Sequence, residues 1–150
     1  VKLTTKGRYA VMAMADLAEN SGGKPVALAD IAARQEISLS YLEQLFAKLR
    51  RGELVKSVRG PGGGYLLSRN ADDIRIADVI LAVDEPLKAT RCETGSPKGC
   101  LGTSGRCITH DLWEALSRQI HVFLSGVSLG DVVHGRLASR RDFTEANAAD

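Results

Sequence analysis

Ile37-Ser-Leu-Ser-Tyr-Leu-Glu-Gln-Leu-Phe-Ala-Lys-Leu-Arg-Arg51, continued after Gly52 by Ser57-Val-Arg-Gly-Pro-Gly-Gly-Gly-Tyr-Leu-Leu67, is the stretch that decides the fold. In its first part Leu42, Leu45, Phe46 and Leu49 recur at helical spacing, which predicts a helix to about Arg51 with Gly52 at the capping position. Ser40 followed three residues later by Glu43 matches a capping box, and a start at Ser38 serves equally well. In its second part Val55, Val58, Tyr65 and Leu67 flank a Gly/Pro cluster, the pattern of a β-hairpin. No Gly-Lys-Ser/Thr follows the glycines, which argues against a Walker-type nucleotide loop.

Working outward, Leu28, Ile31 and Ala32 predict a helix over 28–35, joined to the next by the turn Glu36-Ile37-Ser38. Two short helices with a tight turn have helix-turn-helix spacing. Ile31, Ile37, Leu42, Leu45, Phe46 and Leu49 would lock the pair together. Ser38, Ser40, Tyr41, Glu43, Gln44, Lys48 and Arg51 then point outward. Glutamine can pair with adenine, and serine with a base or a phosphate. Glu43 either accepts from cytosine or serves Ser40 as its capping partner. Arg59 and Gly60 sit at the hairpin tip, suited to a phosphate or a minor groove. These nine residues form the candidate DNA-reading set of a winged helix-turn-helix, a mainly α fold with a small β-wing.

Ala10, Met14, Leu17 and Ala18 predict a helix over 5–20, ended by Ser21-Gly22-Gly23 and Pro25. A short helix is predicted over 76–83, and another at 129–133. From about Thr109, Leu112, Leu116, Ile120, Phe123 and Val127 fall at spacings of 4, 4, 3 and 4, with Trp113 and Leu124 widening the seam. That seam is expected to pair two copies of the chain. The predicted organisation is a DNA-binding domain over 1–84, a ligand loop over 85–108, a dimerisation helix region over 109–135 and a disordered tail over 136–150.

The 150 residues are 44% hydrophobic, enough for a modest core, and the formal net charge is +2. That charge is unevenly spread. Residues 1–75 carry 12 Lys/Arg against 8 Asp/Glu, and residues 76–150 carry 8 against 10. Between 48 and 69, Lys48, Arg50, Arg51, Lys56, Arg59 and Arg69 face Glu53 alone, which points to a polyanion-binding face. No apolar run approaches the roughly twenty residues that span a bilayer, and no signal peptide is visible. A cytoplasmic protein is expected, with no membrane partner. No acid–base pair or nucleophile triad stands out, so an enzyme is not expected.

Cys92, Cys100, Cys107 and His110 are spaced Cys-x7-Cys-x6-Cys-x2-His, with Gly95, Gly99, Gly102, Gly105 and Pro97 in the gaps. Three thiols are an odd number for disulfides, and thiols used for metal are favoured. A structural zinc site usually has tighter Cys-x2-Cys knuckles, whereas wide gaps suit ligands that must reach two irons. Iron–sulfur is favoured and zinc stays open. Cys107 and His110 straddle the start of the long helix, where unpaired backbone N–H groups favour thiolate charge. His121 and His134 are read as structural or surface residues.

The chain resembles the IscR-type iron–sulfur cluster regulators. The resemblance is carried by Leu3-Thr4, Lys6-Gly7-Arg8-Tyr9-Ala10-Val11, the stretches 37–45 and 57–67, Ala89-Thr-Arg-Cys92, Cys107, Thr109-His110 and Leu112-Trp113. It spans residues 2 to about 135. It implies a homodimeric winged-helix regulator, expected to act as a repressor of cluster-biogenesis genes at imperfect palindromes in duplex DNA. One 2Fe–2S cluster per subunit is implied, held by Cys92, Cys100, Cys107 and His110, with 4Fe–4S or zinc as the alternatives. Ser40, Tyr41, Glu43, Gln44 and Arg59 match the family's reading positions, and cluster donor or assembly proteins are possible partners. The intervals between cysteines, seven and six residues, are longer than usual for the family, which bears on cluster type and lability. His110 favours this reading over relatives that respond to nitric oxide or iron. The remaining alternatives are a zinc-stabilised repressor and a small redox or cluster-carrier protein.

Overall fold

Thr4 accepts a hydrogen bond from the Lys6 N–H and so caps helix α1, Thr5–Asn20. The computed structural model describes residues 4–85, 87 and 107–139. On α1, Ala10, Ala13, Met14 and Leu17 lie on one face and are fully buried. Helix α2, Leu28–Gln35, ends at Glu36 in the left-handed conformation (φ 54°), and that reversal makes the tight turn. Helix α3, Leu39–Arg51, buries Leu42, Leu45, Phe46 and Leu49. Burying each such side chain contributes about 1.5–3 kcal/mol, so this face fixes the rotation of α3 about its axis.

The Ser38 side chain caps α3, accepting from the Tyr41 N–H at 3.4 Å. Ser40 therefore lies inside the helix, and Glu43 is exposed rather than folded back as a capping partner. Gly52 stands at the C-cap as expected, but with φ −78°; the left-handed residue is Glu53, at φ 60°. A Cβ on Gly52 would lie 3.2 Å from the Cβ of Ala82, so glycine serves close packing there.

Strands β1, Val55–Val58, and β2, Gly64–Leu67, pair antiparallel with Val55 opposite Leu67 and Val58 opposite Gly64. Val26 pairs with Tyr65 on the other side of β2, exchanging N–H···O bonds of 2.9 and 2.8 Å. Phe46 meets Tyr65 edge-on at 4.9 Å, which seats the hairpin against α3. A 3-10 turn, Ala71–Asp73, leads into helix α4, Ile76–Ala82, whose Ile76, Ala77, Val79 and Ile80 close the core. The result is a winged helix-turn-helix with a two-stranded wing.

Helix α5, His110–Ser125, presents part of its apolar seam outward: Leu112 is 59% exposed, and Trp113 and Phe123 are also exposed, as is Val122, which lies outside the seam. Helix α6, Leu129–Val133, then returns to pack against α1. Its entry pairs Ser128 with Arg75; Ile76 donates to Val127 at 3.0 Å and Leu129 to Ile74 at 2.8 Å. Val127, expected to end the dimerisation seam, is buried in the core of the winged domain, as is Leu129. Val127 and Leu129 thus share one hydrophobic core with residues of α1 and α4. Arg136–Ser139, expected to begin a disordered tail, form a 3-10 turn; Arg136 pairs with Asp72 at 2.5 Å and Asp131 at 3.1 Å. The rest of the expected tail, 140–150, lies outside the described residues.

Candidate nucleic-acid interface and metal-ligand region

The exposed face of α3 follows from its buried one. Steps of three and four residues place Ser40, Glu43, Gln44, Ala47 and Arg51 along one outward stripe, and all five are exposed. Ser38 is exposed at the helix start, with its hydroxyl 3.0 Å from that of Ser40. Ala47 is missing from the sequence-based set, yet it sits centrally on the stripe. Its position four residues before Arg51 and three after Gln44 was the signal; its lack of polarity hid it. A small apolar group there suits a thymine methyl.

Tyr41 and Lys48 lie on the flank instead. Tyr41 is half-buried, its ring edge-on to Tyr9 at 6.1 Å and its hydroxyl 3.4 Å from Thr5 Oγ1. Lys48 is ion-paired with Asp84 at 3.0 Å. That pair holds the Asp84 carboxyl below its ordinary value, chiefly through the hydrogen bond from Lys48.

Arg59 and Gly60 are exposed on the wing turn, where Gly60 adopts φ 100°, a conformation open to glycine and strained for other residues. Ala47, Arg50, Arg51 and Tyr65 line a shallow groove between α3 and the wing. Two guanidinium groups in that groove suit a phosphate backbone running between helix and hairpin.

Two buried carboxylates hold this reading head in place. Asp16, 2% exposed, accepts from Arg34 (2.7 and 3.0 Å) and from Gln35 (2.8 Å), latching α1 to α2. Burial pushes the Asp16 carboxyl up, but the Arg34 and Gln35 bonds and the Arg34 charge outweigh it and leave the pKa lowered. Glu85, 3% exposed, accepts from the Thr4 N–H and the Gly7 N–H, each at 2.5 Å, at the start of α1. Burial opposes ionisation there too; the Thr4 side chain, the Thr4 and Gly7 N–H bonds and the Lys6 charge prevail, and the pKa is lowered. Gly7 is required by this approach, since a Cβ would sit 2.2 Å from Glu85 Oε2. Neither carboxylate was singled out from the sequence.

Of the four candidate ligands, Cys107 and His110 are described; Cys92 and Cys100, with most of the loop expected over 85–108, lie outside the described residues. The His110 N–H donates to the Cys107 carbonyl at 3.0 Å, so thiol and imidazole sit on one turn at the head of α5. Trp113 Nε1–H donates to Thr109 Oγ1 at 3.0 Å, and that hydroxyl lies 3.7 Å from Cys107 Sγ. Indole nitrogen can only donate, so the Thr109 oxygen accepts there and keeps its own proton and a second lone pair for the sulfur contact. His110 is largely buried, with Nε2 3.6 Å from Glu114 Oε2. One soft sulfur and one imidazole, with polar neighbours that orient them, fit half of a three-thiolate, one-histidine site.

No helix among the described residues is long and apolar enough to cross a membrane. The family model for Rrf2, described as an iron-dependent transcriptional regulator, matches residues 3–135. The chain is 62% identical over 134 residues to the HTH-type transcriptional regulator ORF2 of Azotobacter vinelandii, covering 89% of this chain and 79% of that one. It is 55% identical over 146 residues to the HTH-type transcriptional regulator IscR of Photorhabdus laumondii, covering 95% and 87%. Among solved structures it is similar to T. potens IscR, with TM-score 0.72 and 36% identity over 93% of this chain and 91% of that one. These relatives are named as regulators, not enzymes.

Proposed function

The chain belongs to the Rrf2 family of iron-dependent transcriptional regulators, and from that premise we propose that it senses iron–sulfur cluster status and represses cluster-biogenesis genes accordingly. One observation carries the reading: the reading stripe and Arg59 wing are joined, in one polypeptide, to a Cys107–His110 pair at the head of α5. Cys92, Cys100, Cys107 and His110 would hold one 2Fe–2S cluster per subunit. The cluster, when bound, supplies a redox- and iron-sensitive occupancy; the remaining steps belong to the protein.

Two copies pair through the exposed apolar face of α5 that carries Leu112, Trp113 and Phe123. Covering that face removes apolar surface from water at about 25 cal/mol per Å². The paired domains present two α3 helices to successive major grooves of an imperfect palindrome. Ser40, Glu43, Gln44 and Ala47 face base edges, while Arg50, Arg51 and Arg59 take phosphates. A tenfold difference in operator affinity between cluster states needs about 1.4 kcal/mol. The protein acts in the cytoplasm, where cluster assembly proteins are its partners in loading.

The test is anaerobic purification with Mössbauer and absorption spectroscopy, paired with operator titration of loaded and stripped protein. A 2Fe–2S signature and two distinct affinities are expected. Colourless, zinc-bearing protein, or one affinity for both forms, would refute the reading.

A further inference from the structure

We propose that Asp84 and Glu85 are positioning residues that fasten the root of the cysteine-bearing segment to the DNA-reading helix, and that the affinity difference between cluster states passes through them. The proposal rests on the function proposed above and names a route for it. Asp84 and Glu85 follow Val83, the C-cap of α4, and the chain beyond them leads to Cys92. Asp84 adopts φ 61°, a left-handed conformation that aspartate tolerates better than most residues. That turn sends two consecutive carboxylates to different elements.

Glu85 goes inward, to the N-terminus of α1. Its two oxygens satisfy the Thr4 and Gly7 N–H groups, donors that a helix start leaves without backbone partners. Asp84 goes outward, to Lys48 on the flank of α3. The start of α1 reaches the same flank by a second path, through the Thr5 and Tyr41 hydroxyls and the edge-on Tyr9–Tyr41 pair. The root of the segment thus grips α3 at Tyr41 and at Lys48, about two turns apart.

The two contacts differ in strength, and the difference matters. Glu85 is buried and bonded twice, so it behaves as a fixed pivot. Lys48–Asp84 is a solvent-facing ion pair, and such pairs are individually weak and exchange readily. A displacement at the root can therefore release the Lys48 ammonium, for which a DNA phosphate oxygen competes with the Asp84 carboxylate. The pivot stays and the outer contact switches.

The test uses full-length protein, cluster-loaded and stripped, titrated anaerobically with an operator duplex selected by the wild-type protein. The readout is the ratio of the two affinities, with iron per subunit measured alongside. Asp84→Asn and Glu85→Gln should bring the ratio to within about twofold of one, at unchanged iron content. Asp84→Glu, which keeps the charge, should retain the wild-type ratio. In stripped protein, Asp84→Asn should steepen the dependence of log affinity on log salt by about one phosphate contact per subunit. A merely structural role would not move that slope. Glu85→Gln replaces one acceptor by a donor facing an N–H and can weaken folding; Asp84→Asn, at an exposed carboxylate, carries the test alone. A wild-type ratio of one would overturn the proposed function and this route together. A large ratio kept by Asp84→Asn, with an unchanged salt slope, would overturn the route alone.

Discussion

Replacing Gly7 by alanine sets two effects of opposite sign against each other. Alanine is the better helix former by about 1 kcal/mol, and Gly7 lies inside α1, so propensity alone predicts stabilisation. The new Cβ, however, would stand 2.2 Å from Glu85 Oε2, 3.2 Å from its Cδ and 3.3 Å from Ile80 Cγ2. The carboxylate must leave, and with it go bonds from the Thr4 and Gly7 N–H groups. Bonds to a charged acceptor are worth about 1.5–3 kcal/mol each, so losing one or both exceeds the propensity gain. With both bonds lost the expected net loss is about 2–5 kcal/mol, and with one about 0.5–2 kcal/mol, read as a lower urea midpoint at fixed protein concentration. A double-mutant cycle sharpens the test, because a Glu85→Ala background removes the 2.2 and 3.2 Å obstructions and leaves only the 3.3 Å approach to Ile80 Cγ2, which a small shift of that methyl relieves. There Gly7→Ala should stabilise by up to about 1 kcal/mol, reversing its sign. A Gly7→Ala protein at least as stable as wild type, or one sign in both backgrounds, would refute the reasoning.

Other consequences are open to measurement. Asp16 and Glu85 both have lowered pKa values, so their stabilisation is fully present above about pH 4 and is lost as pH falls through the folded values; acid unfolding followed by circular dichroism should show it, with a shallower loss in Asp16→Asn. Arg59→Ala should weaken operator binding to a similar degree across sequences and reduce the salt slope by about one, with iron content unchanged, and equal affinity in a gel-shift titration would remove the wing from the interface. His110→Ala should strip the cluster, by absorption spectroscopy, while circular dichroism reports an intact winged domain. Phe123→Asp should shift sedimentation from dimer toward monomer; an unaltered profile would place the pairing surface elsewhere.

What could be read from the chain alone was whatever rests on local periodicity. The buried face of α3 fixes its exposed face, and the Gly/Pro cluster between Val58 and Tyr65 fixes the wing. Ser38 and Ser40 could not be separated, because both offer a hydroxyl at a capping distance from a good donor; packing of Leu42 and Leu45 chose Ser38. The buried carboxylates were invisible for a different reason. Asp16 meets Arg34 and Gln35, and Glu85 meets Thr4 and Gly7, partners that only tertiary structure brings near. Lys48 looked like an outward cation because its neutralising partner comes from the far end of α4. Val127 continued the helical seam in spacing, yet the chain breaks helix at Gly126 and turns it inward. Of the candidate ligands, Cys107 and His110 share one turn, the His110 N–H donating to the Cys107 carbonyl. Their assembly with Cys92 and Cys100 remains the proposal stated above.

The return of the chain after α5 has a consequence for proteolysis. Val127 and Leu129 plug the hydrophobic interior from behind, and the Ile74–Leu129 and Ile76–Val127 bonds stitch that plug to the domain. A protease that removed everything after the middle of α5 would therefore not liberate a constitutive DNA binder. It would uncork the domain, stripping Ile74 and Ile76 of their backbone partners and opening the core cluster to water. Loss of the chain beyond α5 is thus expected to cost the winged domain its fold.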